Sequence, residues 1–78
     1  MSPNEMRLAD ATPGATVRFR GFDATLDTLL QDQFLAYGIA VGQALSVLQQ
    51  RPLTIIQCDH TELAVESVVA RAMVVAPA

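Results

Sequence analysis

A chain of 78 residues makes one small domain, and at this size only roughly 60% of the unfolded surface is buried, so the core has little to spare. The net charge is −3 and the five basic residues are all arginines, scattered at Arg7, Arg18, Arg20, Arg51 and Arg71, which speaks against nucleic-acid binding and a polybasic membrane anchor. No run reaches the ~18 apolar residues needed to span a bilayer, the opening MSPNEMRLAD has no apolar signal-peptide core, and the lone Cys58 allows no internal disulfide, so a soluble cytoplasmic protein is expected.

Apolar residues make up 51% of the chain, but only Phe19, Phe22, Phe34 and Tyr37 are aromatic. The core is therefore expected to be aliphatic. Charged residues stand at 17%, below the ~25% of typical domains, which leaves a weakly charged surface suited to a partner or to further copies of the chain.

Residues 1–7 are polar with an early Pro3 and are expected to be a loose lead-in, with the folded domain at 8–78. Thr12-Pro13-Gly14-Ala15 reads as a tight turn, Pro13 presetting φ and Gly14 supplying positive φ. A strand follows over Thr16 to Phe22, Val17 and Phe19 on one face and Arg18 and Arg20 on the other; Gly21 marks a bulge or bend. Asp23 to Asp27 carries helix-start chemistry. Leu26, Leu29, Leu30, Phe34 and Tyr37 then recur at helical spacing and predict a buried stripe, with Leu35 off its centre and exposed.

Two of the four glycines, Gly38 and Gly42, lie four residues apart. Gly38 is placed to cap the helix C-terminus with Ile39 folding back. Gly42 occupies the third position of a turn, Ala40 to Gln43, that repeats the pattern at Gly14: apolar residues follow at Val17 and Phe19 after one, at Leu45 and Val47 after the other. Further strands are predicted over Ala44 to Gln50, Leu53 to Cys58 (dense in β-branched residues) and Thr61 to Val65. Arg51-Pro52 separates the first two and Asp59-His60 turns the last hairpin. Ser67 is expected to cap a short turn through Ala70, and a last strand runs from Ala72 to Ala76. Five short strands with one main helix and one short helix predict an all-β class and a small antiparallel barrel, since closing the sheet removes exposed edges.

Cys58, Asp59, His60 and Glu62 form the one cluster of metal-type ligands. A closed metal site requires three or four converging ligands, and Asp59-His60 as a corner separates Cys58 from His60. A polar turn beside a buried thiol is therefore preferred, and a metal-responsive role for these four residues is the alternative. His60 has no nucleophile placed beside it. No catalytic residue and no cofactor are expected. For partner contact the candidates are Arg18 and Arg20 on the outer strand face, Leu35 off the helix stripe, and Arg51, Pro52 and Leu53 at a loop edge. Weak surface charge and edge strands also admit a homo-oligomer.

From Leu8 to Val75 the order LADATPGATVRFRGF, FLAYGIAVGQALSVL, RPL, TELAV and VVARAMVV resembles the FeoA family, small cytoplasmic accessory proteins of bacterial ferrous iron transport. Gly14, Gly21, Gly38, Gly42, Pro52, Leu53, Leu63 and Ala70 occupy matching positions. The resemblance implies an SH3-like barrel. It also implies a partner, the membrane ferrous-iron transporter FeoB with its cytoplasmic GTP-binding domain, and hence a place at the inner membrane through that partner. The same fold occurs as the C-terminal domain of iron-dependent repressors; with Met1 opening the chain and no DNA-binding helices following, the stand-alone accessory protein is expected. Three features depart from the family: Val41 where relatives often have proline, no Gly-rich insertion in LTIIQCDH, and AVES where many relatives place arginines. Recognition of proline peptides in the eukaryotic SH3 manner is not expected, since that mode wants an aromatic-lined groove.

Overall fold

The computed structural model describes residues 4–78. Its strands are Met6–Arg7 (β1), Thr16–Phe22 (β2), Ala44–Gln49 (β3), Thr54–Cys58 (β4), Thr61–Val65 (β5) and Met73–Pro77 (β6). They form one antiparallel sheet in the order β1-β6-β2-β3-β4-β5. Thr28–Ala36 is helix α1, Ser67–Ala70 is helix α2, and Leu8–Asp10 is a 3-10 turn.

Alternation along each strand puts one side inward. Val17 and Phe19, Leu45 and Val47, Ile56 and Cys58, Val65, and Met73 and Val75 are all buried, in one cluster with Leu8, Leu26, Ile39, Val69 and Ala70. No residue of α1 is buried, so the inward face is covered by the sheet's own curvature and by the short segments at its rim. The result is a small SH3-like barrel of nearly equal dimensions, 29 × 28 × 23 Å.

The glycine pattern is realised in detail. Gly14 and Gly42 both sit at φ +93°, a conformation open to glycine at little cost. Ala15 N–H donates to the Thr12 carbonyl at 3.0 Å, and Gln43 N–H to the Ala40 carbonyl at 2.9 Å. Each turn also clasps the strand that follows the other. Gly14 N–H donates to the Val47 carbonyl and Gly42 N–H to the Phe19 carbonyl, both at 2.7 Å; Val47 N–H and Phe19 N–H donate back to Ala15 and Gln43 at 2.9 Å. The two turn–strand units are related by a pseudo-two-fold through the Val17–Leu45 pair. Gly38 (φ +91°) ends α1 in a Schellman arrangement: Ile39 N–H reaches the Phe34 carbonyl at 3.1 Å and Gly38 N–H the Leu35 carbonyl at 3.0 Å. Ile39 is thereby turned into the core. At Gly21 the β2–β6 register shifts, the expected bulge.

Several expectations need correction. Among the described residues the sheet has six strands rather than five. Met6 and Arg7, assigned to a loose lead-in, pair with Val75 and Val74; the first three residues of that segment lie outside the described residues. Ser67 makes no capping hydrogen bond, and Glu66 holds the N-cap position of α2. The last strand begins at Met73 and takes in Pro77, which lies opposite Val17 at the end of the ladder. The stripe on α1 is not core: Leu29, Leu30 and Tyr37 are exposed.

Arg7 is fastened by an ion pair, its Nη2 2.9 Å from Asp23 Oδ2, while Asp23 Oδ1 accepts from Thr25 N–H at 3.0 Å. The hydrogen bonds from Thr25, with the Arg7 charge behind them, hold the Asp23 carboxyl below its ordinary value of 3.8. A depressed carboxyl contributes stability above its unfolded pKa and loses it as pH falls through the folded value. Urea titrations of wild type and Asp23→Asn should therefore differ at neutral pH, wild type being the more stable, and converge as pH falls through the folded value. A difference that persisted unchanged in acid would show that the charged form contributes nothing.

Candidate interaction surface

Helix α1 is set by its ends. Asp27 Oδ1 accepts from Leu29 N–H at 2.7 Å as the N-cap, as the sequence chemistry predicts, and Gly38 stops the helix. Between them the apolar side chains Leu29, Leu30, Phe34 and Leu35 spread around the helix instead of holding one face. Phe34 turns partly onto the core, and Gln31 Nε2 ties the inner side to the Leu26 carbonyl at 2.9 Å. The remainder faces outward: Leu29 is 68% exposed, Tyr37 57% and Leu35 53%. Five of the eight large apolar side chains exposed among the described residues (Leu29, Leu30, Leu35, Tyr37 and Val68) lie on α1, its C-cap or α2, which makes this region the candidate interaction surface.

Between α1 and the β5–α2 segment runs a groove of about 210 Å³, its walls including Leu30, Phe34, Tyr37, Ala64 and Val68; Glu66 is the one charged lining residue among those described. The aromatics connect this groove to the core. Phe19 meets Phe22 edge-on at 4.9 Å between centroids, Phe22 meets Phe34 at 5.8 Å, and Phe34 meets Tyr37 at 6.4 Å. The groove's apolar floor is thus an outward continuation of the barrel interior. A larger depression of about 430 Å³ lies between Asn4, Glu5, Arg20, Ala76 and Pro77, but Arg20 and Glu5 face each other across it at 3.4 Å.

The sequence-derived partner residues do not form one site. Arg18 is exposed, yet its Nη1 donates to the Gly42 carbonyl at 2.9 Å, bracing the second glycine turn. Arg20 is drawn to Glu5. Leu35 is exposed as expected, on the helix side away from the groove lining. Arg51, Pro52 and Leu53 are exposed in the β3–β4 connection, and the Leu53 carbonyl accepts from Gln49 Nε2 at 3.3 Å. The groove itself was missed by sequence reasoning. Its signal lay in the stripe itself: Leu30, Phe34 and Tyr37 line the groove, and a nine-residue helix does not bury them all.

Cys58, Asp59, His60 and Glu62 do not converge. Cys58 is buried on the inward face of β4, with its Sγ 3.9 Å from the Gly38 carbonyl; burial, then the Asp59 charge, pushes its thiol above the ordinary 9.0. Asp59 takes the left-handed conformation at φ +55°, which Asp tolerates better than most residues. Its backbone carbonyl accepts from Gln57 Nε2 and its side chain from Gln43 Nε2. Asp59, His60 and Glu62 are exposed. Among the described residues no group of three or more His, Cys, Asp or Glu is placed to hold one ion, and no helix is long and apolar enough to cross a membrane.

The FeoA domain family matches residues 6–77. No curated protein sequence matches. Among solved structures the fold is that of an iron uptake regulatory protein, FeoA, superposing with a TM-score of 0.80 at 17% identity over 95% of this chain and 99% of that one. A manganese-dependent transcriptional repressor superposes at 0.87 with 21% identity, and T. acidophilum IdeR at 0.86 with 13%. Both cover all of this chain, which spans 44% and 36% of theirs. At such identities these likenesses establish the fold alone. The family match extends over nearly the whole sequence, from β1 through the two glycine turns to β6, and on it the chain belongs to the FeoA family, non-enzymatic accessory domains connected with iron transport.

Proposed function

We propose that this FeoA-family chain is a non-catalytic cytoplasmic accessory protein that docks on the cytoplasmic GTP-binding part of an FeoB-like ferrous iron transporter and modulates Fe(II) uptake. The observation that carries the reading is the exposed apolar groove between α1 and α2 on a domain of a family whose members are accessory to iron transport. A barrel this small gains nothing in stability from leucines held in water, so their place on the surface is explained by a partner that covers them. The metal-responsive alternative draws no support from the divergence of Cys58 and His60.

The test is retention of the transporter's cytoplasmic domain on the immobilised chain at physiological salt. Retention is expected, and Leu30→Asp combined with Val68→Asp should abolish it while far-UV circular dichroism of the variant stays native. Failure of the wild-type chain to retain the domain would sink the proposal.

A further inference from the structure

The groove carries its own statement of what it accepts. Strand β5 is an edge of the sheet; Glu62 and Ala64 on its outer side are exposed while Val65 is buried, and Glu66, the extended N-cap residue of α2 that follows the strand, is exposed as well. Ala64 and Glu66 line the groove. Glu62 stands two residues along from Ala64, ~7 Å away by strand rise. The apolar walls thus carry one carboxylate, Glu66, with Glu62 farther along the outer side of β5, and no arginine stands among the groove's described lining residues. The two arginine ion pairs among the described residues, Arg7–Asp23 and Arg20–Glu5, involve neither carboxylate.

Two other occupants fit poorly. A second copy brings a further −3 charge. If it paired antiparallel along β5 about Ala64, its Glu62 and Glu66 would fall opposite Glu66 and Glu62, and like charges directly opposite are destabilising. An anionic bilayer meets the same repulsion. A segment with apolar side chains for the groove and lysines or arginines along one border meets none. Acidic residues on an edge strand discourage pairing with identical edges; the same carboxylates select a cationic visitor.

From this charge pattern we propose that the α1–β5–α2 groove binds a cationic amphipathic segment of a partner protein, its apolar side chains against Leu30, Phe34, Tyr37 and Val68 and its basic side chains over Glu62 and Glu66. The inference rests on the reading of the chain as a docking module and names the chemistry of the docked segment.

The test uses the full chain, isotope-labelled, with three synthetic peptides: one with leucines on one face and lysines on the other, its counterpart with glutamates for lysines, and a lysine peptide without leucines. The leucine–lysine peptide is expected to shift the amide resonances of Ala64, Val65, Glu66, Val68 and Val69 and to bind at least about tenfold more tightly than either control. Glu62→Lys with Glu66→Lys should reverse the preference between the two leucine peptides. Asp10→Lys with Asp32→Lys makes the same change in net charge at residues that do not line the groove, and should leave the preference as it was. Equal binding of the two leucine peptides, shifts centred elsewhere, or reversal by the Asp10/Asp32 variant overturns the proposal. So does a dimer seen by light scattering that Leu30→Asp dissolves, since it assigns the groove to a second copy. No transporter enters this experiment. Peptide binding without retention of the transporter domain removes the proposed function and leaves the groove's chemistry standing. Retention of the transporter domain without selective binding of the leucine–lysine peptide does the reverse.

Discussion

Phe19→Ala is expected to leave the chain largely unfolded at 25 °C or within reach of mild denaturant. Phe19 is 1% exposed and is the largest of the fully buried side chains. It shares the core cluster with Leu45 and Val47 of the neighbouring strand β3 and begins the aromatic series toward Phe22 and Phe34. Truncating a buried phenylalanine costs about 3–5 kcal/mol. At the usual stability per residue, a domain of 78 residues has about 4–12 kcal/mol in all, so one side chain accounts for a large part of the total. The loss also reaches the glycine turns, because the backbone of Phe19 exchanges hydrogen bonds with Gly42 and Gln43. Phe22→Ala, at a half-buried position on the rim, should cost clearly less. Urea unfolding followed by circular dichroism measures both. A Phe19→Ala loss below about 1 kcal/mol would contradict the packing described.

The second large effect belongs to Gln50. Its Nε2 donates to the carbonyls of Leu8 and Ala11 at 2.9 and 2.7 Å, and its Oε1 accepts from the Thr54 hydroxyl at 2.7 Å. One amide thus fastens the 3-10 turn and the chain after it to the start of β4, and it satisfies Thr54, the one buried polar side chain among the described residues. Gln50→Ala takes this partner from the Ala11 carbonyl and the Thr54 hydroxyl, while the Leu8 carbonyl keeps the Ala11 N–H at 3.0 Å, and it should cost about 1–3 kcal/mol, the usual penalty for a buried polar group left without its partner. Gln50→Glu is the sharper probe. A carboxylate cannot donate to either carbonyl and meets two acceptors instead, so this variant should be the less stable of the two at neutral pH. On acidification the protonated carboxyl regains a donor. Its folded pKa is raised, so its stability relative to Gln50→Ala should improve as pH falls through that value. If the two variants kept a constant difference across the acid range, the donor role of Gln50 would be wrong.

How far the sequence foretold this molecule follows from the reach of each signal. The glycine turns were legible because positive φ is a local demand, met by one residue type at a fixed place in a four-residue turn. The β4–β5 hairpin was legible because Thr54, Ile55 and Ile56 favour extended chain and Asp59-His60 interrupts the alternation. Strand β1 was not, because two residues carry no periodicity and Met6–Arg7 is extended only through pairing with β6. The role of Gln50 was invisible for a related reason: its three partners lie four to forty-two positions away, and no local pattern marks them. The helix misled through the same spacing that identified it. Leu26 and Phe34 do turn toward the core, but the barrel closes largely on itself and leaves room for little else. Leu29, Leu30 and Tyr37 remain outside, and this exposed apolar surface is what an expectation of burial conceals. Arg18 and Arg20, chosen as partner contacts for their outward alternation, face outward as expected, but each has a partner within its own chain.

The position of Tyr37 has a practical corollary. The chain contains one tyrosine and no tryptophan, so its near-ultraviolet absorbance and intrinsic emission arise chiefly from a single phenol, and that phenol is at the mouth of the groove instead of inside the barrel. The protein's own light is therefore a gauge of what settles against α1, available without a dye or label, while changes confined to the interior reach it only along the ladder of rings from Phe19.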